Sequence, residues 1–285
     1  MTALALALVL SAAVLHAGWN LLAKRVAGGI AFIWLVCTTG ALVYFPVAIA
    51  YVLVAEPPLA WPMAAFIAGS AVIHLAYFFL LQRGYQVGDL SLVYPLARST
   101  GPALSTAGAV VLFAERPSPL AAVGIVLVLF GVYVLTSAAR HSPKAMRQAV
   151  VYGLLTGSLI AVYTLWDGYA VQRHGVPPLL LDWGSNLGRS LLLLPLMRTR
   201  QTEARRCWQE HRWRVVTISV VSTLSYIMIL TAVQFTPISY VAPAREISIL
   251  VGAMMGQHFL DEQGGSQRIA GAAIMVAGVI ALAAA

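Results

Sequence analysis

Long apolar segments separated by short polar joints fill the whole chain. A transmembrane helix needs about 20 apolar residues, and ten segments of this kind follow one another. They lie at residues 2–23, 30–54, 62–82, 90–113, 118–137, 149–171, 177–197, 214–235, 238–260 and 267–284. Glycine, proline or charged residues mark the joints, as in Gly28-Gly29 and Glu56-Pro57-Pro58. The pattern predicts ten transmembrane helices, numbered helix 1 to helix 10 in this order.

The second half of the chain repeats the first half with an offset of 147 residues. Arg98 recurs as Arg245, Glu115 as Glu262, Gly124 as Gly271, Gly131 as Gly278, and Trp19-Asn20 as Trp166-Asp167. Residues 1–137 form the first predicted repeat, residues 138–148 a basic linker, and residues 149–285 the second repeat. Five helices per repeat is an odd number, so the two repeats must insert with opposite topology. We therefore predict an all-α membrane protein of two inverted five-helix repeats, with its binding site at their interface near the midplane.

Composition supports the membrane assignment. The chain is 60% hydrophobic and only 10% charged, whereas about a quarter of the residues in a soluble domain are charged. The net charge of +8 comes from arginines gathered at helix ends, so it does not indicate a nucleic-acid partner. Cys37 and Cys207 are interpreted as lone thiols. The histidines lack metal-ligand spacing, and we expect neither a metal nor a cofactor.

The basic residues also predict the orientation. Arg98, Arg189 and Arg245 lie inside predicted helices. Of the other lysines and arginines, 13 lie in joints after odd-numbered helices and two after even-numbered ones. Basic joints stay in the cytoplasm. Both termini are therefore predicted to be extracytoplasmic.

Two arginines at matched positions within the membrane are the main functional signal. Inserting an arginine at the centre of a membrane helix costs about 2.5–3.5 kcal/mol on insertion scales. Because the chain bears this cost at two matched positions, the arginines are predicted to be functional. Pro102 follows Arg98 on helix 4, and Pro243 precedes Arg245 on helix 9. Proline frees a backbone carbonyl, and such disturbed backbone can line a wet cavity. The arginines could form an anion site, or they could simply neutralise acids such as Glu246. Glu246 is equally a proton-coupling candidate or a structural counter-ion.

Further polar side chains recur at helical spacing within the predicted membrane segments. His16 and Asn20 share one face of helix 1, and Tyr163 and Asp167 hold the matching positions on helix 6. We expect these four to approach one another around a central cavity. Helix 7 carries a polar stripe of Asp182, Asn186 and Arg189, and helix 8 adds Ser222 and Ser225. The candidate substrate-binding residues are Arg98, Arg245, Glu246, His16, Asn20, His74, Tyr77, Tyr163, Asp167 and Tyr226.

Other repeated residues are predicted to be structural. Glu115 and Glu262 lie at helix ends, where a carboxylate is easily solvated. The glycines of helices 5 and 10 recur every seven residues on segments without ionisable side chains, a pattern that suits close packing against another helix. Helices 5 and 10 are therefore expected to be scaffold.

The chain resembles the EamA branch of the drug/metabolite transporter superfamily over nearly its whole length. The matching residues are Pro95, Glu115, Gly124, Gly131, Pro243, Glu262, Gly271 and Gly278. The stretches His16 to Asn20, Tyr94 to Pro102 and Pro243 to Glu246 look like a subgroup sometimes linked with phosphonate metabolism. The resemblance implies a multi-pass permease of the inner cell membrane, with termini inside in several relatives. The basic-residue count predicts the opposite orientation.

The predicted function is secondary transport of a small polar metabolite by alternating access. The paired arginines favour an amino-acid-like or organic anion, including a phosphate or phosphonate, as the small-molecule substrate. The alternatives are multidrug efflux of lipophilic compounds and a membrane-embedded lipid-modifying enzyme with His16 or His74 as base. No P-loop or hydrolase motif occurs, so the chain is not predicted to be an enzyme. Besides the bilayer, the sequence allows proton coupling and a homodimer without specifying either.

Overall fold

The computed structural model describes residues 1–24, 26, 29–58, 60–87, 90–136, 143–251 and 266–285. Side chains are described within these ranges except at residues 24, 85–87, 90–92, 94–96, 99, 135–136, 143–146, 149 and 266–269. Within these ranges the chain consists of α-helices and their connecting turns. The predicted role of Glu262 and the side chains of Tyr94 and Pro95 lie outside the described residues.

Ten helices follow one another along the described part of the chain. They are α1 (Ala3–Lys24), α2 (Gly29–Ala55), α3 (Trp61–Val87), α4 (Leu90–Leu112), α5 (Pro119–Thr136), α6 (Pro143–Arg173), α7 (Pro178–Arg198), α8 (Gln201–Phe235), α9 (Ile238–Ala244) and α10 (Ser266–Ala284). Residues 247–251 are also helical. Each predicted membrane segment therefore overlaps with one of the ten helices.

The helices have the length and surface of membrane-spanning elements. Among the described residues, five stretches are long and apolar enough to cross a membrane: Ala3–Ala23, Gly29–Ala55, Trp61–Gly84, Val150–Arg173 and Gln201–Phe235. Three shorter helical stretches are apolar as well: Thr100–Leu112, Pro119–Val134 and Ala270–Ala284. Large apolar side chains such as Leu42, Leu53 and Val111 are exposed, as expected where lipid is the solvent. The chain is an all-α membrane protein.

The packing of the helices shows the two-repeat organisation. α6 packs on α3 as its counterpart α1 packs on α8, and α7 packs on α3 as α2 packs on α8. The counterparts α2 and α7 pack on each other, and so do α5 and α10. Exchanging the two repeats leaves these contacts unchanged, which is the behaviour expected of a pseudo-two-fold arrangement.

Glycines allow α5 and α10 to touch backbone to backbone, as their spacing predicted. A Cβ atom added at Gly278 would lie 2.7 Å from the backbone N of Val128 and 2.8 Å from the carbonyl O of Gly124. A Cβ atom at Gly131 would lie 2.9 Å from the carbonyl O of Gly271. No side chain fits between these backbones. Among the described residues, neither helix contributes a side chain to the cavity described below, in agreement with a scaffold role.

Two helices begin well before the predicted residue. α6 begins at Pro143 rather than residue 149, and α8 begins at Gln201 rather than residue 214. Polar residues extend both helices beyond the membrane segment, and in α8 the 2.8 Å ion pair between Arg206 Nε and Glu210 Oε1 links successive turns. α8 is kinked at His211, whose φ of −132° is not helical. α9 ends at Ala244, and the chain is helical again over residues 247–251. The predicted end of this segment at residue 260 lies outside the described residues.

Glu115 has the structural role that was predicted for it, because its side chain caps the start of a helix. α4 ends at Leu112, and Ala114 just beyond it adopts the left-handed region (φ 55°), directly before Glu115. The Glu115 carboxylate accepts hydrogen bonds from the backbone N–H groups of Ile238 (2.8 Å) and Ser239 (2.9 Å). These are two of the N–H groups that the start of α9 leaves unpaired. Glu115 thus joins the first repeat to α9 and fixes where α9 begins.

Candidate functional site

A cavity of about 460 Å³ lies between the two repeats. Its wall is formed by α1 to α4, by α6 to α8, and by Arg245 beyond the end of α9. Eight of the ten predicted site residues line it: His16, Asn20, His74, Tyr77, Arg98, Tyr163, Tyr226 and Arg245. Its size falls within the range usual for small-molecule sites, about 300–1,000 Å³.

The two repeat-related arginines meet at this wall with one carboxylate behind them. Arg98 Nη2 lies 2.9 Å from Glu246 Oε2, and the same nitrogen donates a hydrogen bond to Ser248 Oγ at 3.1 Å. Arg245 Nε lies 3.7 Å from Glu246 Oε1, which is longer than a hydrogen bond. Within the described part of the chain, Nε and Nη2 of Arg245 are buried without a hydrogen-bond partner. Glu246 therefore pairs chiefly with Arg98.

Arg245 and Glu246 lie where the helix is interrupted, directly after the end of α9. Pro243 has no N–H to donate to the carbonyl of Ser239. Beyond it, the Arg245 N–H donates to the Val241 carbonyl at 3.0 Å, and the Glu246 N–H to the Pro243 carbonyl at 3.0 Å. This change from i−4 to i−3 bonding marks a tightened turn. The two charged residues thus lie at the disturbed end of a helix, next to the cavity.

A second charged group lies on α7, where the sequence showed a polar stripe. Asn186 Nδ2 donates to Asp182 Oδ2 at 3.0 Å and to Thr223 Oγ1 of α8 at 3.3 Å. Arg189 Nη2 donates to Asn186 Oδ1 at 3.1 Å and lies 4.0 Å from Asp182 Oδ1. Asp182, Asn186 and Arg189 all line the cavity. Arg189 thus has a carboxylate and an amide as partners on its own helix.

Aromatic rings form a further part of the cavity wall. The ring of His74 stacks on Tyr163 with centroids 4.2 Å apart and meets the edge of Tyr226 at 5.6 Å. Tyr77 also contacts Tyr163, at 5.7 Å. The Tyr226 hydroxyl donates to Asp167 Oδ2 at 2.5 Å. His74 Nε2 lies 4.0 Å from the same carboxylate oxygen. These rings separate Asp167 from the cavity.

The last turns of α1 supply the remaining predicted residues. The side-chain amide of Asn20 donates to the His16 carbonyl at 2.7 Å. His16 contacts the ring of Trp19 edge to face at 4.9 Å. Asn20 is exposed, because the cavity reaches the end of the molecule where α1 finishes.

The family model described as the EamA-like transporter family matches residues 3–137 and again residues 147–284. The chain belongs to the EamA-like transporter family. Each match covers one five-helix repeat, and the members of this family are membrane transporters. This EamA-like chain is accordingly a multi-pass membrane protein of the drug/metabolite transporter superfamily.

A solved crystal structure supports the fold over the full length. It is 15% identical in sequence, with a TM-score of 0.77, and the alignment covers 99% of this chain and 96% of that chain. At this identity the likeness concerns the fold alone. The comparison with curated proteins found no match.

Two predicted site residues of this EamA-like transporter do not line the cavity. Asp167 and Glu246 each have a relative exposure of 0%. Asp167 lies behind Tyr226, and Glu246 lies behind the two arginines. His16, Asn20 and Tyr163 share the cavity wall, while Asp167 stands one layer further out. Both carboxylates hold other side chains in place from behind.

Sequence reasoning left out several residues of the wall. Asp182 and Arg189 were recognised as a polar stripe but were not included among the site residues. Gln82 and Cys37 also line the cavity, and no repeat or regular spacing of polar residues pointed to them. The signal for Asp182 and Arg189 was their i, i+7 spacing within a membrane segment. Within the described residues, no group of three or more His, Cys, Asp or Glu side chains could hold a metal ion.

Proposed function

We propose that this EamA-like protein is a secondary transporter of the inner cell membrane that moves a small polar metabolite with an anionic group by alternating access. One observation carries the proposal: Arg245 has a relative exposure of 7% and lines the cavity, yet two of its nitrogens lack a hydrogen-bond partner among the described residues. A buried guanidinium without such partners is costly. A bound carboxylate, phosphate or phosphonate would supply them, in two places at once.

The pairing of the other charges supports an anion rather than a cation. Arg98 has Glu246 at 2.9 Å, and Arg189 has Asp182 and Asn186. Arg245 shares Glu246 at the longer distance of 3.7 Å. On the cavity wall itself, the carboxylate of Asp182 is already held by a neighbouring amide. Among the described charges that face the cavity, the positive charge of Arg245 is therefore the least neutralised.

The rest of the wall suggests what the anionic group is attached to. Tyr77, Tyr163, Tyr226 and His74 offer ring faces and polar edges, which suit a compact organic body. A cavity of about 460 Å³ suits a metabolite of amino-acid size with room for water. An amino-acid-like or organic anion fits both the charge and the volume. Proton coupling and a homodimer remain predictions from the sequence.

The test measures ligand-induced stabilisation of the purified protein. Amino acids, organic phosphates, phosphonates and lipophilic cations are compared by thermal shift, because a ligand of the folded state raises its apparent stability. We expect at least one anionic class to raise the melting temperature. Arg245→Lys keeps the charge but loses the planar fork, so affinity for that anion should fall about tenfold or more, within the roughly 1.5–3 kcal/mol of a charged hydrogen bond.

The control is Arg200→Lys, the same chemical change at an exposed ion pair with Glu203. It should leave anion affinity unchanged. If Arg245→Lys folds and binds the anion as well as Arg200→Lys does, Arg245 is a structural residue and the anion site is refuted. Stabilisation by lipophilic cations alone would instead support multidrug efflux.

A further inference from the structure

The cavity is open at one end of the molecule and closed at the other. At the end where α1 and α3 finish and α2 begins, Ala23, Val26 and Gly29 contribute to its wall. At the opposite end, where α3 begins and α6 finishes, Phe66 packs with Val171, Val176 and Leu181, all nearly free of exposed surface. We call these the open end and the closed end. The basic residues predict that the open end is cytoplasmic.

Trp166 holds the closed end together. Its indole N–H donates to the Phe66 carbonyl at 2.9 Å, and its ring lies 5.2 Å from the Phe66 ring. A Cβ atom at Gly69 would lie 2.4 Å from the Trp166 ring, so α3 and α6 are in the closest contact that this glycine allows. Tyr169 and His174 add their rings to the same cluster. A tryptophan on α6 is thus hydrogen-bonded to the backbone of α3.

The counterpart of Trp166 in the first repeat is Trp19, and its surroundings are different. Trp19 lines the cavity. Its indole nitrogen is buried without a hydrogen-bond partner among the described residues. The two tryptophans hold the same position in the two repeats, yet one is bonded and the other is not.

We propose that Trp19 and Trp166 are alternating latches, each of which holds one end of the cavity closed. This inference rests on the alternating access of the proposed function. α1 packs on α8 as α6 packs on α3, so the partner of Trp19 is a backbone carbonyl of α8. The counterpart of Phe66 on α8 can be found in two ways. By distance from the end of its helix, Phe66 of α3 corresponds to Arg214 of α8. By the 147-residue offset, it corresponds to the adjacent Trp213. In the opposite state, Trp19 donates to this stretch and Trp166 is released.

The unpaired indole N–H determines which of the two states each tryptophan favours. A buried donor without a partner is unfavourable. In the present state that cost falls on Trp19, and in the opposite state it falls on Trp166. Removing one N–H should therefore favour one state, and removing the other should favour the opposite state.

The chain offers a matched pair of reporters. Ala23 lines the cavity at the open end, and its repeat counterpart Ala170 is fully buried in the closed-end cluster. Cysteine is introduced at one or the other position, with Cys37→Ala and Cys207→Ser removing the native thiols. The labelling rate of each cysteine by a small polar thiol reagent reports how often its end is open. In the parent protein, the thiol at position 23 should react faster.

The test compares Trp166→Phe with Trp19→Phe, each of which keeps a ring but loses the N–H. Trp166→Phe should speed labelling at position 170 and slow it at position 23. Trp19→Phe should do the reverse. One hydrogen bond corresponds to about a two- to tenfold change in the ratio of the two rates. Monodispersity in detergent confirms folding of every variant.

Coupled and opposite changes support the latches. A faster rate at position 170 with no slowing at position 23 shows only a local packing defect, and overturns the proposal. Equal shifts by both variants, or none, overturn it as well. The labelling uses no substrate, so it is separate from the anion test. Anion binding without opposite shifts refutes the latches alone, and opposite shifts without anion binding refute the anion site alone.

Discussion

At the scale of single residues, the cost of a buried charge was visible in the sequence, but its partner was not. Arg98 and Arg245 were recognised because arginine is expensive inside a membrane. The sequence could not assign Glu246 to one of them, because it adjoins Arg245 in the chain. The helix turns by about 100° per residue, and its interruption after Ala244 directs Glu246 towards Arg98. Tertiary geometry therefore decided the pairing.

This pairing predicts that Glu246 is essential for stability. Glu246→Gln keeps the shape but leaves the charges of Arg98 and Arg245 without their shared carboxylate. Breaking one side of a buried pair costs about 3–5 kcal/mol, so thermal unfolding in detergent should show a large fall in melting temperature. Glu203→Gln, at an exposed ion pair, serves as the control and should cost less than about 1 kcal/mol.

A second variant separates charge from shape. Glu246→Gln combined with Arg98→Gln removes one positive charge along with the negative one. It should recover part of the lost stability, because only Arg245 then lacks a counter-ion. If the Glu246→Gln protein is as stable as the Glu203→Gln protein, the two arginines are solvated by water and Glu246 is not the counter-ion that stabilises them.

At the scale of helices, the same sequence signal had two outcomes. Pro102 and Pro243 were both expected to loosen a helix beside an arginine. α4 continues through Pro102 to Leu112, whereas α9 ends one residue after Pro243. A proline removes one N–H in both cases, but whether the helix continues depends on what packs around it. Helix existence and spacing were therefore predictable, and helix interruption was not.

The contact of α5 with α10 gives a prediction that belongs to this scale. Gly278→Ala places a methyl group 2.7 Å from the backbone N of Val128, so the two helices must separate. Overpacking of this kind costs about 1–3 kcal/mol, which thermal unfolding will detect. Anion affinity of the folded protein should stay unchanged, because no described residue of either helix lines the cavity.

Gly18→Ala is the matched control for this substitution. No atom lies within 4 Å of a Cβ at Gly18, and alanine favours a helix over glycine by up to about 1 kcal/mol. Gly18→Ala should therefore be neutral or stabilising. If Gly278→Ala melts at the same temperature as Gly18→Ala, the scaffold is more pliable than the backbone contact implies.

At the scale of the whole molecule, the repeat predicted the architecture but not its present state. Ten helices, two repeats and a cavity between them follow from periodicity and from the 147-residue offset. Trp19 and Trp166 are equivalent in the sequence, yet within the described part of the chain only the indole of Trp166 is hydrogen-bonded. A repeat makes both ends of the cavity alike in principle. Which end is closed depends on packing between residues far apart in the chain, and the local sequence pattern carries no information about it.

The orientation of the molecule in the membrane is the last prediction. The joints after odd-numbered helices carry 13 lysines and arginines against two after even-numbered ones, and α1 and α3 finish at the open end. The cavity should therefore open to the cytoplasm, and Ala285 should lie outside. Alkaline phosphatase fused after Ala285 should be active and a fluorescent protein dark. Fusions after Arg200, in the basic joint before α8, should give the opposite result. Fluorescence without phosphatase activity at Ala285 would place the termini inside, and the cavity of this state would then open to the exterior.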